Sequence, residues 1–323
     1  MNYRRCGKSG ILLPEISLGL WHNFGATDDY AEARAMVIYA FEHGVCHFDL
    51  ANNYGPPAGS AESNFGKILR SDLHTHRDEM FISSKAGHEM WPGVYGDGSS
   101  RKNLIASCDA SLRRTGLEYF DVFYSHRYDG FTPVEETMGA LISIVRSGKA
   151  LYAGISKYPP EQQQQAYTIL KEAGVPCLVS QYRASIFDTK AMEHNFDAAH
   201  DAGSGIVCFS PLAQGLLTGK YLHGIPENSR AAKPTGFLQA GQITEARVQA
   251  ARELDTIARR KGDSLAAMSI NYLLADSRVT SVIVGASSVR QLKENISGIN
   301  SAGFTTEELT EIYNIAHHEG VPF

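Results

Sequence analysis

Four polar side chains could together carry out a proton transfer: Asp49, Tyr54, Lys85 and His126. Each lies at or just beyond the end of an apolar segment that is typical of a buried β-strand. In a closed parallel barrel the carboxyl ends of the strands meet at one mouth, so residues far apart in sequence share one pocket. A phenol, an ammonium, a carboxylate and an imidazole in such a pocket would protonate an alkoxide as hydride reaches a carbonyl carbon.

Taken singly, three of these residues have ordinary structural explanations. An Asp after a strand is usually a helix cap or turn residue, and a lone Tyr or His usually serves packing or hydrogen bonding. Lys85 is different, because it ends the apolar run that begins at Met80, and a buried Lys needs a carboxylate partner. Asp49 is the expected partner. A nearby cation favours a phenolate, so Lys85 is expected to lower the pKa of Tyr54, while His126 orients a carbonyl oxygen.

These residues would be positioned by the secondary-structure elements around them. Short apolar runs typical of strands alternate along the chain with segments of helical periodicity, which is the pattern of βα units. The predicted strands are 15–20, 45–50, 80–85, 119–125, 150–155, 177–181, 205–209 and 280–284. Amphipathic segments at 29–42, 60–69, 101–112, 134–145, 160–171, 191–202 and 244–260 predict the helices between and after them. Eight such strands favour an α/β fold, a (β/α)8 TIM barrel.

Three additions to a plain barrel are expected. Residues 3–13, with a turn at 8–10, predict a hairpin that plugs the N-terminal end of the barrel. Residues 215–242 contain Gly, Pro, Lys and Arg without periodicity, and a loop of that length inside a compact domain is usually functional. Segments 264–275 and 305–315 predict extra C-terminal helices.

Composition limits the class of protein. The chain has 323 residues, 43% hydrophobic and 20% charged, and a net charge of -5, with no long basic run suited to nucleic acid. No apolar run approaches bilayer length, and the start lacks the apolar core of a signal peptide. Five scattered cysteines without a C-x-x-C pair indicate reduced thiols. We therefore expect one domain over 1–323, a cytoplasmic location, a small-molecule substrate and no membrane, while assembly into a homo-oligomer stays open.

Several motifs, in order along nearly the whole chain, carry a family resemblance. They include His47-Phe-Asp-Leu-Ala-Asn-Asn-Tyr-Gly55, Ser84-Lys-Ala-Gly87, Phe120-Asp-Val-Phe-Tyr-Ser-His126, Phe209-Ser-Pro-Leu212 and Gly285-Ala-Ser-Ser-Val-Arg-Gln-Leu-Lys-Glu-Asn295. With these motifs the chain resembles the aldo-keto reductases. Runs 18–25, 53–62 and 211–221 look most like the branch that holds the bacterial L-glyceraldehyde 3-phosphate reductases and the potassium channel β-subunits.

The resemblance implies a barrel that binds NADPH in an extended form, and a catalytic tetrad of Asp49, Tyr54, Lys85 and His126. It further assigns cofactor positions from the nicotinamide to the adenosine end. Ser156 and Gln181 would hold the nicotinamide amide, Phe209 would stack on its ring, Ser210 and Leu212 would lie toward the pyrophosphate, Lys220 and Arg230 would approach the phosphates, and Ser287, Gln291, Glu294 and Asn295 would contact the adenosine. The run 285–288 also opens a helix, whose free amides favour a phosphate.

Substrate residues are expected in the loops after strands one, three and four. They are Trp21 and Phe24, then Trp91 and Tyr95, and finally Arg127, a cation beside His126 that could hold a substrate phosphate. The aromatics could equally be rim packing, and Arg127 a salt-bridged surface residue. Lys157 stands where the family varies. The pair His74 and His76 precedes its strand, at the wrong end of a barrel for chemistry, so no metal is expected.

Two functions follow from the residues and the resemblance. The first is NADPH-dependent reduction of a small polar aldehyde, with glyceraldehyde 3-phosphate and methylglyoxal as candidates and Tyr54 as proton donor. The alternative is a cofactor-sensing regulatory protein, similar to the channel β-subunits, that binds NADPH and a protein partner. Fold alone does not decide between them.

Overall fold

The chain begins with a short antiparallel hairpin. The computed structural model describes residues 1–226, 238–300 and 303–323. Strand β1 (Tyr3–Arg5) pairs with β2 (Leu12–Pro14), as the sequence predicts. Cys6 and Leu13 are buried among apolar side chains from the barrel strands, including Val122 and Ile283. The hairpin therefore covers one end of the barrel.

The eight strands that follow are parallel and close into a barrel. They are β3 (Ile16–Gly19), β4 (His47–Asp49), β5 (Phe81–Ala86), β6 (Phe120–Ser125), β7 (Ala150–Ser156), β8 (Cys177–Arg183), β9 (Gly205–Phe209) and β10 (Val279–Val284). Each pairs with its neighbour in sequence, and β10 pairs with β3 to complete the ring. The predicted (β/α)8 barrel is confirmed, and every predicted strand overlaps an observed one.

Helices surround the barrel. They are α1 (Tyr30–Glu42), α2 (Ser60–Ile68), α3 (Arg101–Thr115), α4 (Val134–Arg146), α5 (Pro160–Glu172), α6 (Lys190–His194), α7 (Phe196–Ala202), α8 (Glu245–Arg260), α9 (Leu265–Ala275), α10 (Val289–Ser297) and α11 (Thr306–Ala316). Polar caps begin several of them: the side chains of Asp29 and Ser100 accept backbone hydrogen bonds at α1 and α3. The extra helices predicted at the C-terminus correspond to α9 and α11.

One predicted helix, 191–202, is divided in two. Asn195 separates α6 from α7, and its side-chain amide donates to the carbonyl of Tyr158 at 3.0 Å. This anchor to the segment after β7 replaces helix continuity at that point. Local periodicity alone does not reveal such a contact.

Within the described residues, no helix combines the length and apolarity needed to cross a membrane. Across the same residues, no group of three or more His, Cys, Asp or Glu side chains is arranged to hold a metal ion.

Candidate active site

A cavity of about 640 Å³ opens at the C-terminal end of the barrel strands. Its wall includes Asp49 at the end of β4, Tyr54 in the loop that follows β4, and His126 directly after β6. Lys85 lies behind them and is fully buried. The barrel thus brings the four predicted catalytic residues together, because each follows or ends a neighbouring parallel strand.

The centre of the site is a buried ion pair. Lys85 Nζ donates to Asp49 Oδ2 at 2.6 Å and to the Leu50 carbonyl at 2.5 Å. The carboxylate partner predicted for Lys85 is confirmed. Burial lowers the pKa of Lys85, and the attraction of Asp49 opposes that shift. The same ammonium lies 5.0 Å from the centre of the Tyr54 ring.

The second carboxylate oxygen of Asp49 is held by hydrogen bonds from side chains on other barrel strands. Its Oδ1 accepts from the Ser83 hydroxyl at 2.7 Å and from Gln181 Nε2 at 3.0 Å. Ser83 Oγ lies 3.2 Å from His47 Nε2, and His47 Nδ1 lies 2.7 Å from Ser17 Oγ. Since Ser83 gives its one proton to the carboxylate, it accepts from His47 Nε2–H, and His47 Nδ1 then accepts from Ser17.

Ser281 extends this chain, with its hydroxyl 2.6 Å from Ser17 Oγ. Burial lowers the pKa of His47 to about 4, so its imidazole is neutral near pH 7 and carries one proton. A continuous set of hydrogen bonds therefore orients Asp49 from inside the barrel. Sequence reasoning missed it, although polar residues at 17, 47 and 83 within apolar strands were a usable signal.

Tyr54 and His126 face each other above the ion pair, with ring centroids 6.0 Å apart and planes at 75°. Burial, and next the charge of Asp49, raises the pKa of Tyr54 well above its usual value. The expectation of a lowered pKa for Tyr54 is wrong, because burial and then the charge of Asp49 determine the direction of the shift. Tyr54 consequently keeps its proton at neutral pH, the form a proton donor requires.

His126 is also held in one protonation state. Burial lowers its pKa well below the usual value, and the charges of Lys85 and Lys157 add to that effect. The ring is therefore neutral at pH 7. Its Nδ1 is buried and has no hydrogen-bond partner among the described residues. A neutral imidazole beside a tyrosine hydroxyl is suited to orienting a carbonyl oxygen.

Most of the predicted cofactor residues lie around the same cavity. Its lining includes Gln181, Phe209, Ser210, Leu212, Lys220, Ser287, Gln291, Glu294 and Asn295. Ser156 Oγ is buried without a hydrogen-bond partner in the described part of the chain, and a bound amide would satisfy it. Arg230 lies outside the described residues.

One detail of the cofactor prediction needs correction, and one predicted residue makes a further contact. The side-chain amide of Gln181 donates a hydrogen bond to Asp49, so Gln181 also supports the ion pair. At the start of α10, the Val289 amide donates to Glu32 at 2.7 Å and the Gln291 amide donates to the Ser288 hydroxyl at 3.3 Å. The helix N-terminus that was expected to offer free amides to a phosphate is partly filled by the protein's own side chains.

Of the predicted substrate residues, only Trp21 lines the cavity, where its ring stacks near Tyr54 at 6.1 Å. Phe24 is buried in the core. Trp91 and Tyr95 are 47% and 55% exposed on the loop after β5, outside the cavity lining. The predicted contact of these two aromatic side chains with substrate therefore has no support in the cavity lining.

Arg127 is likewise not part of the cavity wall. Its Nη2 lies 2.8 Å from both carboxylate oxygens of Asp97, and its Nε donates to the Gly87 carbonyl at 2.8 Å. The predicted phosphate-binding position is therefore corrected: the guanidinium is used within the protein. Side chains that line the cavity but were not predicted include His22, Asn23, Asn53, His88 and Lys157. Each lies within a few residues of a predicted one, so adjacency to strand ends was the available signal.

A parallel barrel with a buried Lys–Asp pair under a tyrosine and a histidine defines a class of carbonyl-reducing enzymes. Residues 15–317 match the aldo/keto reductase family, and the chain belongs to that family. The prediction of a nicotinamide-dependent oxidoreductase that reduces a small aldehyde is confirmed at this level.

Individual relatives are also similar over most of the chain. L-glyceraldehyde 3-phosphate reductase of Escherichia coli O157:H7 is 51% identical over 316 residues, covering 97% of this chain and 91% of the relative. The protein of the same name from strain K12 is 50% identical over the same shares. A probable voltage-gated potassium channel subunit beta of Oryza sativa subsp. japonica is 33% identical over 317 residues, covering 96% and 95%.

Proposed function

We propose that this chain reduces a small polar aldehyde to an alcohol with NADPH, and that Tyr54 donates the proton. The observation that carries the proposal is the buried Lys85–Asp49 pair directly beneath Tyr54 and His126 at the cavity wall. When bound, the nicotinamide supplies the hydride. Tyr54 transfers its hydroxyl proton to the carbonyl oxygen, so hydride and proton together convert the aldehyde to the alcohol.

The other residues of the site act on Tyr54 and on the carbonyl. Neutral His126 orients the carbonyl oxygen toward the Tyr54 hydroxyl. Lys85 places a cation near the phenol, where it stabilises the phenolate left by proton transfer, and Asp49 holds that cation in place. The bonds from Ser83 and Gln181 keep Asp49 fixed, so no reorganisation of the carboxylate is needed during the reaction.

The cofactor would extend from Ser156 and Gln181 across the cavity to the start of α10. Ser156 Oγ supports this placement because it is a buried hydroxyl that needs a partner. Lys220 lines the cavity, and no ion pair to it is found among the described residues. We assign it to a cofactor phosphate and infer from it a preference for NADPH over NADH. Arg230 keeps the same role as a prediction.

The names of the bacterial relatives support a phosphorylated three-carbon aldehyde as substrate, with methylglyoxal as an unphosphorylated candidate. The rice relative supports the alternative, a protein that binds the cofactor and regulates a partner. The complete tetrad favours catalysis. One domain over 1–323, a cytoplasmic location and the number of subunits stay predictions; the five free cysteines are consistent with that location.

The decisive experiment follows NADPH oxidation with glyceraldehyde 3-phosphate, methylglyoxal and an aromatic aldehyde in parallel. Tyr54→Phe should lower kcat by roughly 10²–10⁴-fold, the usual contribution of a positioned acid, and leave the Kd for NADPH unchanged. Tyr128→Phe is the matched control, since Tyr128 follows His126 by two residues but is not part of the cavity lining. Wild-type protein that binds NADPH yet reduces none of the aldehydes would favour the regulatory alternative.

Cofactor choice is tested by the same assay with NADH. A charged hydrogen bond contributes roughly 1.5–3 kcal/mol. Lys220→Ala should therefore reduce the preference for NADPH, measured as the ratio of the two kcat/KM values, by roughly tenfold or more. An unchanged ratio would remove Lys220 from the phosphate site.

A further inference from the structure

A pair of side chains next to His126 is not used in the proposed reaction. Lys157 follows β7 and His88 follows β5, and both line the cavity. Lys157 Nζ lies 2.7 Å from His88 Nε2. The His88 ring meets the His126 ring edge-on, with centroids 4.4 Å apart and planes at 85°. The lysine therefore lies one side chain away from the residue that orients the carbonyl.

The backbone at Lys157 is held in an uncommon conformation. Its φ is 57°, in the left-handed region, and its amide donates to the Gln181 carbonyl at 3.1 Å. A non-glycine residue in this region costs roughly 1–3 kcal/mol, and such residues cluster at functional sites. The hydrogen bond ties the residue that follows β7 to strand β8.

The cations around this pair differ in whether a carboxylate compensates their charge. Arg127 is paired with Asp97, Arg183 with Asp188 and Lys85 with Asp49. No carboxylate is found within ion-pair distance of Lys157 among the described residues. Burial, and then Lys157 itself, lowers the pKa of His88 to about 4, so His88 is neutral and its Nε2 accepts from the ammonium. One of the three Lys157 N–H groups is then bonded, and the others are available to a ligand.

We propose that Lys157, held in place by His88, binds the phosphate group of a phosphorylated short-chain aldehyde whose carbonyl lies at Tyr54 and His126. The proposal rests on the proposed function and names a substrate class for that site. An ammonium on a flexible stem is a common phosphate ligand. The contact of His88 with both Lys157 and His126 sets a short separation between anion and carbonyl, which suits a chain of few carbons.

The structure favours Lys157 over Arg127 for this role. Both cations are close to His126, but the Arg127 guanidinium is committed to Asp97 and Gly87, and it lies outside the cavity lining. A phosphate at Arg127 would have to displace a carboxylate that binds through both oxygens. At Lys157 no carboxylate has to be displaced.

The test compares Lys157→Gln with Arg127→Gln, using glyceraldehyde 3-phosphate and glyceraldehyde as the two substrates. Lys157→Gln should raise KM for the phosphorylated aldehyde by roughly 10- to 100-fold relative to KM for glyceraldehyde, the equivalent of one charged hydrogen bond. Arg127→Gln should change the two KM values little and equally. Lys157→Arg, which keeps the charge, should recover most of the selectivity, whereas a purely structural role would not depend on charge.

Two further readouts separate the outcomes. The Kd for NADPH, measured by fluorescence titration, should be the same in wild type and Lys157→Gln; a weaker Kd would assign Lys157 to the cofactor and overturn the proposal. Equal KM changes for both aldehydes in Lys157→Gln, or the selective loss in Arg127→Gln, would also overturn it. Wild type that reduces neither aldehyde with NADPH would instead contradict the proposed function.

Discussion

Two lysines near the cavity differ in how the protein compensates their charge. Lys85 is fully buried, and Asp49 contacts its ammonium at 2.6 Å. Lys157 reaches the cavity, where its described partner is the neutral His88. Burial and the repulsion of Lys85, Arg127 and Arg183 lower the pKa of Lys157 to about 8. Lys157 should therefore change charge in the pH range of an ordinary assay.

Substrate binding should accordingly depend on pH. The charged groups that act on Lys157 are Lys85 on β5, Arg127 after β6 and Arg183 on β8. Asp97, in the loop after β5, acts on His88, and His88 and His126 both have lowered pKa values and stay neutral. A pKa of about 8 means that Lys157 carries its proton below that pH and loses it above. A phosphate monoester is mainly a dianion at and above pH 7, since its second pKa is about 6.

KM for glyceraldehyde 3-phosphate should therefore rise as the pH increases from about 7 to about 9, with the midpoint shifted upward in the complex, where the anion favours the ammonium. KM for glyceraldehyde should stay flat, and so should both profiles in Lys157→Gln. Steady-state kinetics across this range provides the measurement. A flat profile for the phosphorylated aldehyde in the wild type would contradict the assignment.

For individual residues of the site, the sequence predicted identity better than side-chain contacts. The Lys85–Asp49 pair was predictable, because a buried ammonium requires a carboxylate and one lay at the adjacent strand end. The contact between Arg127 and Asp97 was not, because it joins two loops from different βα units. Adjacency to His126 places the Arg127 backbone near the site but does not fix the direction of its side chain.

At the scale of elements, a large side chain on strand β6 restricts the residue that strand β7 carries opposite it. The Tyr124 ring is fully buried on β6, 5.7 Å from Lys85 Nζ. Opposite it on β7 is Gly154, where an added Cβ would lie 2.5 Å from Tyr124 Cδ1. The glycine leaves room for the ring that packs below the lysine.

Two Gly→Ala substitutions should therefore have opposite effects on stability. Gly154→Ala should lower the free energy of unfolding by roughly 1–3 kcal/mol, because the rigid Tyr124 ring must move in a filled interior. Gly139→Ala, within α4, should raise it by roughly 0.5–1 kcal/mol, since alanine favours helix and the new Cβ stays 4.0 Å from the Arg101 guanidinium. Urea unfolding of both variants measures the difference. Equal effects would show that Tyr124 does not restrict position 154.

The elements were largely predictable because each barrel strand is a short apolar run between turn residues. The division of the predicted helix 191–202 into two helices was not predictable, since it depends on the contact of Asn195 with Tyr158. The same reasoning applies to the chain of hydrogen bonds below Asp49. Ser17, His47, Ser83 and Ser281 come from four strands, and only closure of β10 onto β3 brings the first and last of them together.

Over the whole molecule, the two ends of the barrel serve different purposes. The cavity and the tetrad occupy the end where the strands finish, and the β1–β2 hairpin covers the opposite end. Cys6, in the turn, donates to the Leu178 carbonyl at 3.5 Å, so the hairpin contacts the barrel interior as well as its edge. Stability and chemistry should therefore be separable by mutation.

Adjacent leucines of β2 provide the test. Leu13 has no exposed surface and packs against barrel side chains, whereas Leu12 is 53% exposed. Leu13→Ala should lower the free energy of unfolding by roughly 2–5 kcal/mol, the usual cost of a cavity in a packed core. Leu12→Ala should change it by no more than about 0.5 kcal/mol. Both variants should keep wild-type kcat and KM when assayed under folding conditions, because β2 lies at the end of the barrel away from Tyr54. Equal stability of the two variants would mean that the hairpin adds nothing to the core, and a lower kcat in folded Leu13→Ala would show that the two ends are coupled.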